Sequence, residues 1–297
     1  MTRRSSTRWT VLLGLLFPGL SAGEETAPPA KGPLPEAIQA FEQHARVTES
    51  RLRSQLRGED GFLWATTAER RQRVRQGSVI CEPGSSKGEI KAPHALIHDW
   101  VGAVFIPNAT VDEILLLIQD YDNHKNIYKP EVIDSKTLER RGDDFKVRLR
   151  LLKKKVITVV LETEHEAHYR QLAPRWWWSY SQSTRISEIQ NYGEPGQRER
   201  PPGQDRGFLW RLNSYWAIRE RDGGSYVECE AVSLTRSVPA ALRWLIDPIV
   251  RSLARDSLVN TLRATQAAVS KSKAAPARVS GFWDAWTGGA PRRLAVD

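Results

Sequence analysis

The chain has 297 residues, two cysteines and a formal net charge of +9, from 44 Lys and Arg against 35 Asp and Glu. A chain of this length buries a core without covalent staples, so a disulfide scaffold is excluded, and two isolated cysteines argue against a structural zinc site. The positive charge is dispersed apart from one dense run, Arg70-Arg71-Gln72-Arg73-Val74-Arg75, which fits peripheral contact with an anionic membrane surface.

The chain opens with a basic stretch, residues 2–8, then an apolar run from Trp9 to Leu20, small residues Ser21, Ala22 and Gly23, and the acidic pair Glu24-Glu25. That order is a secretory signal peptide over 1–23, cut after Ala22 or Gly23. The run is shorter than the roughly 20 residues of a membrane span and holds Pro18; a retained interfacial anchor is the other reading. A secreted or periplasmic location is therefore expected. An exported chain also argues against nucleic acid as the partner of the positive charge.

Residues 24–76 read as a linker and a helical extension. The first part (EETAPPAKGPLP) is rich in Pro, Ala and charge. From Glu36 to about Arg57 the apolar residues Ile38, Phe41, Ala45 and Leu52 recur at near-helical spacing, and Gly58 ends the run. A second helix is expected from Thr67 to Gln76, with Thr66 or Thr67 as its cap. With few large apolar residues, this extension reads as an appendage on the main domain, which spans 77–270.

In that domain Ser78–Cys81 is a short strand candidate and Ile97–Ile106 a clearer one, closed by Pro107-Asn108. Thr110 caps an apolar helix from Val111 to Ile118, with Asp112 and Glu113 in its first turn where the helix dipole favours acids. Tyr121–Tyr128 is a short helix or loop. After Pro130 the pattern becomes antiparallel strands up to about Arg236. Phe145, Val147, Leu149 and Leu151 alternate with Lys146, Arg148 and Arg150, the signature of a half-buried strand. Strands 156–166 and 176–189 follow, then a polar loop over 193–206. Phe208, Trp210, Leu212, Trp216 and Ile218 read as the next inward set, and Asp222-Gly223-Gly224 marks a hairpin to the last strand, Tyr226–Thr235. Cys229 alternates with Glu228 and Glu230, so a buried free thiol is favoured over a bridge to Cys81.

From Val238 the period becomes helical, with Pro239 at the start, Pro248 as a kink or restart, and an inner face running to Val269. That face mixes Leu258 and Leu262 with small residues such as Ala254, Ser257, Thr261 and Thr265. Opposite them stand broad strand residues, Trp176, Trp178, Trp210 and Trp216. Small against large is either interdigitated packing or the wall of an open space. Residues 271–297 read as a flexible tail whose one apolar knot, Phe282–Trp286, is a docking peptide or a surface patch.

Residues 97–269 resemble the START-like (SRPBCC) superfamily, which includes polyketide cyclases, pollen-allergen-type and coenzyme-Q-binding proteins. The resemblance is carried by Ile97–Ile106 as first strand, Pro107-Asn108-Ala109-Thr110 entering the first helix, the Tyr121-Asp122 region, and the 239–269 helix. It implies an α+β helix-grip fold, a curved antiparallel sheet of about six or seven strands around a long C-terminal helix. It also implies a cavity for a lipid, quinone or other apolar molecule. The strand phases place Phe145, Val147, Leu149, Trp176, Trp178, Trp210, Leu212 and Trp216 on the concave face, with Leu258 and Leu262 closing the space from the helix. A ligand carrier or sensor acting as a monomer, without cofactor, is the expected function.

Catalytic signals are thin. On a strand, His165 faces away from both Glu164 and His168, which removes a dyad and a metal pair. Glu162, Glu164, Glu166, Glu228 and Glu230 read as partners for Arg and Lys on a solvated sheet face. No nucleophile elbow, zinc-protease helix or phosphate loop is present. A cyclase-type enzyme in the same cavity remains as the alternative, with Arg185, Tyr180 and His98 as its candidate groups. An envelope interaction protein using the extension and the tail is a third reading.

Overall fold

The computed structural model describes residues 32–58, 61–85, 87–154, 158–201, 203–237 and 243–274. The expected signal peptide, residues 239–242 and the Phe282–Trp286 knot lie outside the described residues.

Helix α1 (Pro35–Arg57) buries Ala37, Phe41, Ala45, Thr48, Leu52 and Leu56 at intervals of three and four, which puts them on one face. Helix α2 (Ala68–Arg75) starts at Thr67, whose side chain accepts from the Arg70 backbone. Strands β1 (Ile80–Pro83) and β2 (Glu89–Ala92) are short and both pair with the long strand β3 (Ala95–Pro107). Helix α3 (Val111–Gln119) has a full capping box between Thr110 and Glu113. The Tyr121–Tyr128 segment is a single 3-10 turn followed by helix α4 (His124–Ile127).

Seven further strands follow: β4 (Val132–Arg141), β5 (Asp144–Lys154), β6 (Thr158–Ala173), β7 (Trp176–Gln190), β8 (Arg198–Glu199), β9 (Arg211–Arg221) and β10 (Gly224–Arg236). All pairings are antiparallel, in the order β1-β3-β10-β9-β7-β6-β5-β4, with β2 added to β3 and β8 to β7. At the β9–β10 hairpin Asp222 and Gly223 have φ of 58° and 78°, the left-handed pair that a tight two-residue turn needs. Helix α5 (Arg243–Ala274) passes through Pro248 without a break and continues beyond the expected end at Val269. The architecture is α+β, a curved antiparallel sheet holding a long C-terminal helix.

Helix α5 lies chiefly on β3, with β10, β1, α3 and α4 beside it. Gly102 permits the approach: a Cβ there would stand 2.6 Å from Leu262 Cδ1 and 3.2 Å from the Ile80 carbonyl. Val104, Ile106, Val227, Cys229, Leu258 and Leu262 form part of the core on this concave side.

The convex side is buried as well, and the extension expected to be an appendage supplies half of a second core. Phe41, Leu52, Leu56, Phe62, Leu63 and Trp64 pack against Ile97, Val101, Tyr215, Tyr226 and Leu234 from β3, β9 and β10. Beneath this layer lie Asp99, Glu228 and Glu230, each 0–1% exposed. Glu162, Glu164 and Glu166 do pair with Arg148, Arg150, Arg185 and Lys146. Glu228 and Glu230 instead are covered, because the extension closes over that part of the sheet.

All three buried acids bind the extension. Glu228 accepts from the backbone N–H groups of Leu63, Trp64 and Ala65 at 2.8, 2.9 and 2.7 Å. Asp99 takes His44 of α1 at 2.8 Å, and Glu230 takes Arg51 of the same helix. Burial and the neighbouring Asp99 carboxylate push the Glu230 carboxyl up to about 8, against the pull of Arg51, while its partners hold Asp99 below its usual range despite burial.

Removing the Glu228 acceptor leaves three buried N–H groups without a partner, each costing roughly 1–3 kcal/mol. Glu228→Ala is expected to lower the unfolding free energy by more than about 3 kcal/mol in chemical denaturation, and to expose the 61–65 segment to proteolysis. Glu230 has a raised folded-state pKa, so its contribution is complete below the ordinary glutamate range and is lost as pH rises through about 8. Glu230→Gln stays neutral throughout; its stability relative to the parent should therefore improve between pH 6 and pH 9, read from denaturation midpoints.

Candidate functional site

The sheet curls away from α5 beyond β3 and β10, and a cavity of about 690 Å³ lies between them. One wall is aliphatic: Val147, Leu149 and Leu151 of β5 with Val159 and Leu161 of β6. Odd-numbered residues of β5 face inward because Lys146, Arg148 and Arg150 reach their acid partners on the other side. The floor is richer in hydroxyls, with Ser179 and Ser181 of β7, Ser214 of β9, and Ser233 and Thr235 of β10. Register places Ser181 opposite Ser214 and Ser233 opposite His98, so the polar positions run across neighbouring strands. The roof is α5, through Leu253, Ala254, Ser257, Leu258, Thr261 and Ala264.

At one end lies an aromatic cluster: Tyr121 from the 3-10 turn, His124 of α4, Tyr128 just after it, and Tyr169 of β6. The Tyr121 and Tyr169 hydroxyls are 2.8 Å apart, and Tyr169 donates to the Ile118 carbonyl at 3.3 Å. His124 Nε2 donates to the same carbonyl at 3.0 Å, and Tyr128 bonds Thr265 of α5 at 3.2 Å. Burial pushes Tyr128 up to about 12 and His124 down to about 4, so both are neutral near pH 7. At the rim, Lys153 reaches Glu131 and, at 2.6 Å, Ser257. Burial lowers the Lys153 ammonium to about 8.

Of the expected ligand residues, Val147, Leu149, Leu212, Trp216 and Leu258 line the cavity. Phe145 and Leu262 are buried behind its lining, Phe145 between Tyr121 and Tyr169 and Leu262 against Gly102. Trp176, Trp178 and Trp210 are on the opposite, convex side. The Arg219 guanidinium lies 4.8 Å from the Trp176 ring centroid, and Trp178 stacks on Tyr215 at 5.9 Å. Irregular register between β6 and β7, at Gln171/Ala173 and Glu164/His165, means the phase of one strand does not carry over to the next, and Trp177 packs with the concave core instead. Trp210 precedes β9 in an irregular segment where its indole donates to Asp205 at 2.8 Å, so strand alternation does not reach it.

The enzyme candidates separate. His98 lines the cavity and bonds Thr235 at 2.9 Å. Tyr180 stacks on His168 and packs with the convex core, and Arg185 is tied to Glu164 and Glu199. Among the described residues no three His, Cys, Asp or Glu side chains are placed to hold a metal ion.

No family model matches the chain, and no curated protein matches it. Solved structures with a similar arrangement include TTHA0849 from Thermus thermophilus, at 14% identity and TM-score 0.42 over 58% of this chain and 97% of that one. A STAR-related lipid transfer protein fragment from Xanthomonas axonopodis gives 14% and 0.42 over 62% and 99%. The Zhui aromatase/cyclase from Streptomyces gives 14% and 0.36 over 62% and 98%. The helix-grip fold of this chain rests on its own strand order and on the seat of α5.

Cys81 and Cys229 are both free. They stand opposite Gly102 from either side of β3, so two strand spacings, about 9.5 Å, separate their backbones. A disulfide tolerates no more than about 7 Å. Burial pushes the Cys81 thiol up to about 11 and the Cys229 thiol well above its usual value. Alkylation with iodoacetamide in denaturant, without reductant, is expected to modify both residues, with Cys229 the slower of the two in the folded protein; mass spectrometry reads the result.

Proposed function

We propose that this chain is a binding protein that holds one apolar or amphipathic small molecule between its sheet and α5. The observation that carries the reading is the cavity itself. Its volume of about 690 Å³ falls within the roughly 300–1,000 Å³ of small-molecule sites. Close-packed interiors rarely leave space of that size, and the short side chains of Ala231, Ala254 and Ala264 border it. Small residues on three surrounding positions keep the space open. The aliphatic wall suits a hydrocarbon portion, and the serine-lined floor suits scattered polar atoms on the same molecule.

Binding is favoured over turnover by the state of the titratable groups. His98, His124, Tyr121 and Tyr128 are engaged with Thr235, the Ile118 carbonyl, Tyr169 and Thr265 respectively, and burial holds His124 and the tyrosines neutral. The basic, apolar and small-residue order of residues 1–23 supports the further proposal of an exported carrier or sensor.

Ala254→Trp places a large ring into the cavity from the roof. Displacement titration with the fluorescent probe N-phenylnaphthylamine is expected to show at least about a tenfold loss of affinity, with a thermal midpoint within a few degrees of the parent. Undiminished probe binding by the folded variant would remove the cavity from the proposal.

A further inference from the structure

We infer that His165 is a polar anchor for the ligand, and that the molecule held in the cavity carries a neutral oxygen, a carbonyl or a hydroxyl, which meets its imidazole. The inference rests on the reading of the cavity as a binding site and names the chemistry that the site selects.

His165 lies in the middle of β6, opposite Val147 of β5 and Ser183 of β7, and its side chain lines the cavity. It is 5% exposed, and Nε2 has no hydrogen-bond partner among the described residues. The other histidines and tyrosines of the lining differ in this respect. His98 bonds Thr235, His124 the Ile118 carbonyl, Tyr128 Thr265, and Tyr121 and Tyr169 each other. A buried polar group without a partner is costly, and native interiors hold few of them. An aliphatic residue at 165 would extend the wall of Val147, Leu149 and Leu161 without that cost, so a hydrogen-bonding ligand accounts for the imidazole.

The ligand atom is uncharged because the imidazole is. Burial alone pushes His165 down to about 4, and no carboxylate opposes that shift. A neutral imidazole nitrogen either donates to a carbonyl or accepts from a hydroxyl, depending on tautomer. Of the basic side chains on the lining, Lys153 is engaged with Glu131 and Ser257 and Arg206 with Glu188, while Lys129 and Arg236 are exposed to solvent. A pure hydrocarbon would fill the aliphatic wall and leave the imidazole without a partner.

The test is displacement of N-phenylnaphthylamine from the full chain by three probes on one ring skeleton: fluorene, fluorenone and fluorenol. The parent protein is expected to prefer fluorenone or fluorenol over fluorene by about tenfold, the factor one net neutral hydrogen bond supplies. His165→Leu should abolish the preference while keeping fluorene binding and thermal stability. His165→Gln, which restores a donor and an acceptor, should recover part of it. Equal competition by all three probes in the parent, or a preference that survives His165→Leu, overturns the anchor and leaves the cavity intact as a site. If neither N-phenylnaphthylamine nor any of the three binds the folded parent, the binding reading falls and the anchor falls with it.

Discussion

The seat of α5 on Gly102 is the constraint from which the rest of the molecule follows. A helix lying on a sheet is held about one side chain away from it, and the missing side chain at Gly102 brings Leu258 and Leu262 down onto the β3 backbone. With the helix fixed there and along β10, the curl of the sheet carries β5, β6, β7 and β9 away from it. A twisted antiparallel sheet cannot follow a straight helix along its whole width. Toward β5 the leucines and valines of the sheet and the α5 residues Leu253, Ala254, Ser257 and Thr261 line the same open space. The cavity is thus a consequence of where the helix touches down, and its polarity is set by which strand passes beneath.

An open space inside a core forfeits contacts, and the convex face offsets that loss. Strands β3 and β10 alternate between the two sides, so each step along them serves both. Cys229 and Ala231 face the cavity while Glu228 and Glu230 face the extension. The acids are costly to bury, yet each meets groups that need an acceptor: three successive N–H groups for Glu228, and the cation of Arg51 for Glu230. The 61–65 segment has no regular strand or helix to satisfy those N–H groups, and Glu228 fills that role. Aromatic residues from the extension then cover these acids.

How far the sequence exposes this design depends on whether one face of an element reaches water. On β5 the charged positions 146, 148 and 150 leave no choice of phase, and the inward set is legible. Thr110 with Glu113, and Asp222 with Gly223, are local signals whose geometry is complete within a few residues. The helix-grip order of strands followed by one long helix is equally plain, and it is the order observed. Legibility fails where both faces are covered. In β7 the tryptophans, serines and Tyr180 give no contrast between sides, and the irregular register with β6 makes the phase of the neighbouring strand a poor guide. The expectation that Trp176, Trp178 and Trp210 face the ligand space therefore gave way to the convex core. Glu228 and Glu230 misled in the opposite sense, because an acid on alternate strand positions signals solvent unless another segment covers it. That segment is some 160 residues away in the chain, and no local pattern announces it.

The two faces bear on function through these shared strands. Val147 and Leu149 define the aliphatic wall because their neighbours Arg148 and Arg150 are held outward by Glu162. Thr163 points inward on β6 and satisfies itself on the Leu149 carbonyl at 3.0 Å, so it presents no donor to the cavity. His165, one inward position further on, has no hydrogen-bond partner at Nε2 among the described residues. The polar groups of this wall thus divide into those the frame has already used and one that it has not. That division, more than the apolar area around it, distinguishes a cavity able to select among apolar molecules from one that would accept any of suitable size, because apolar contact is non-directional and a buried hydrogen bond is not.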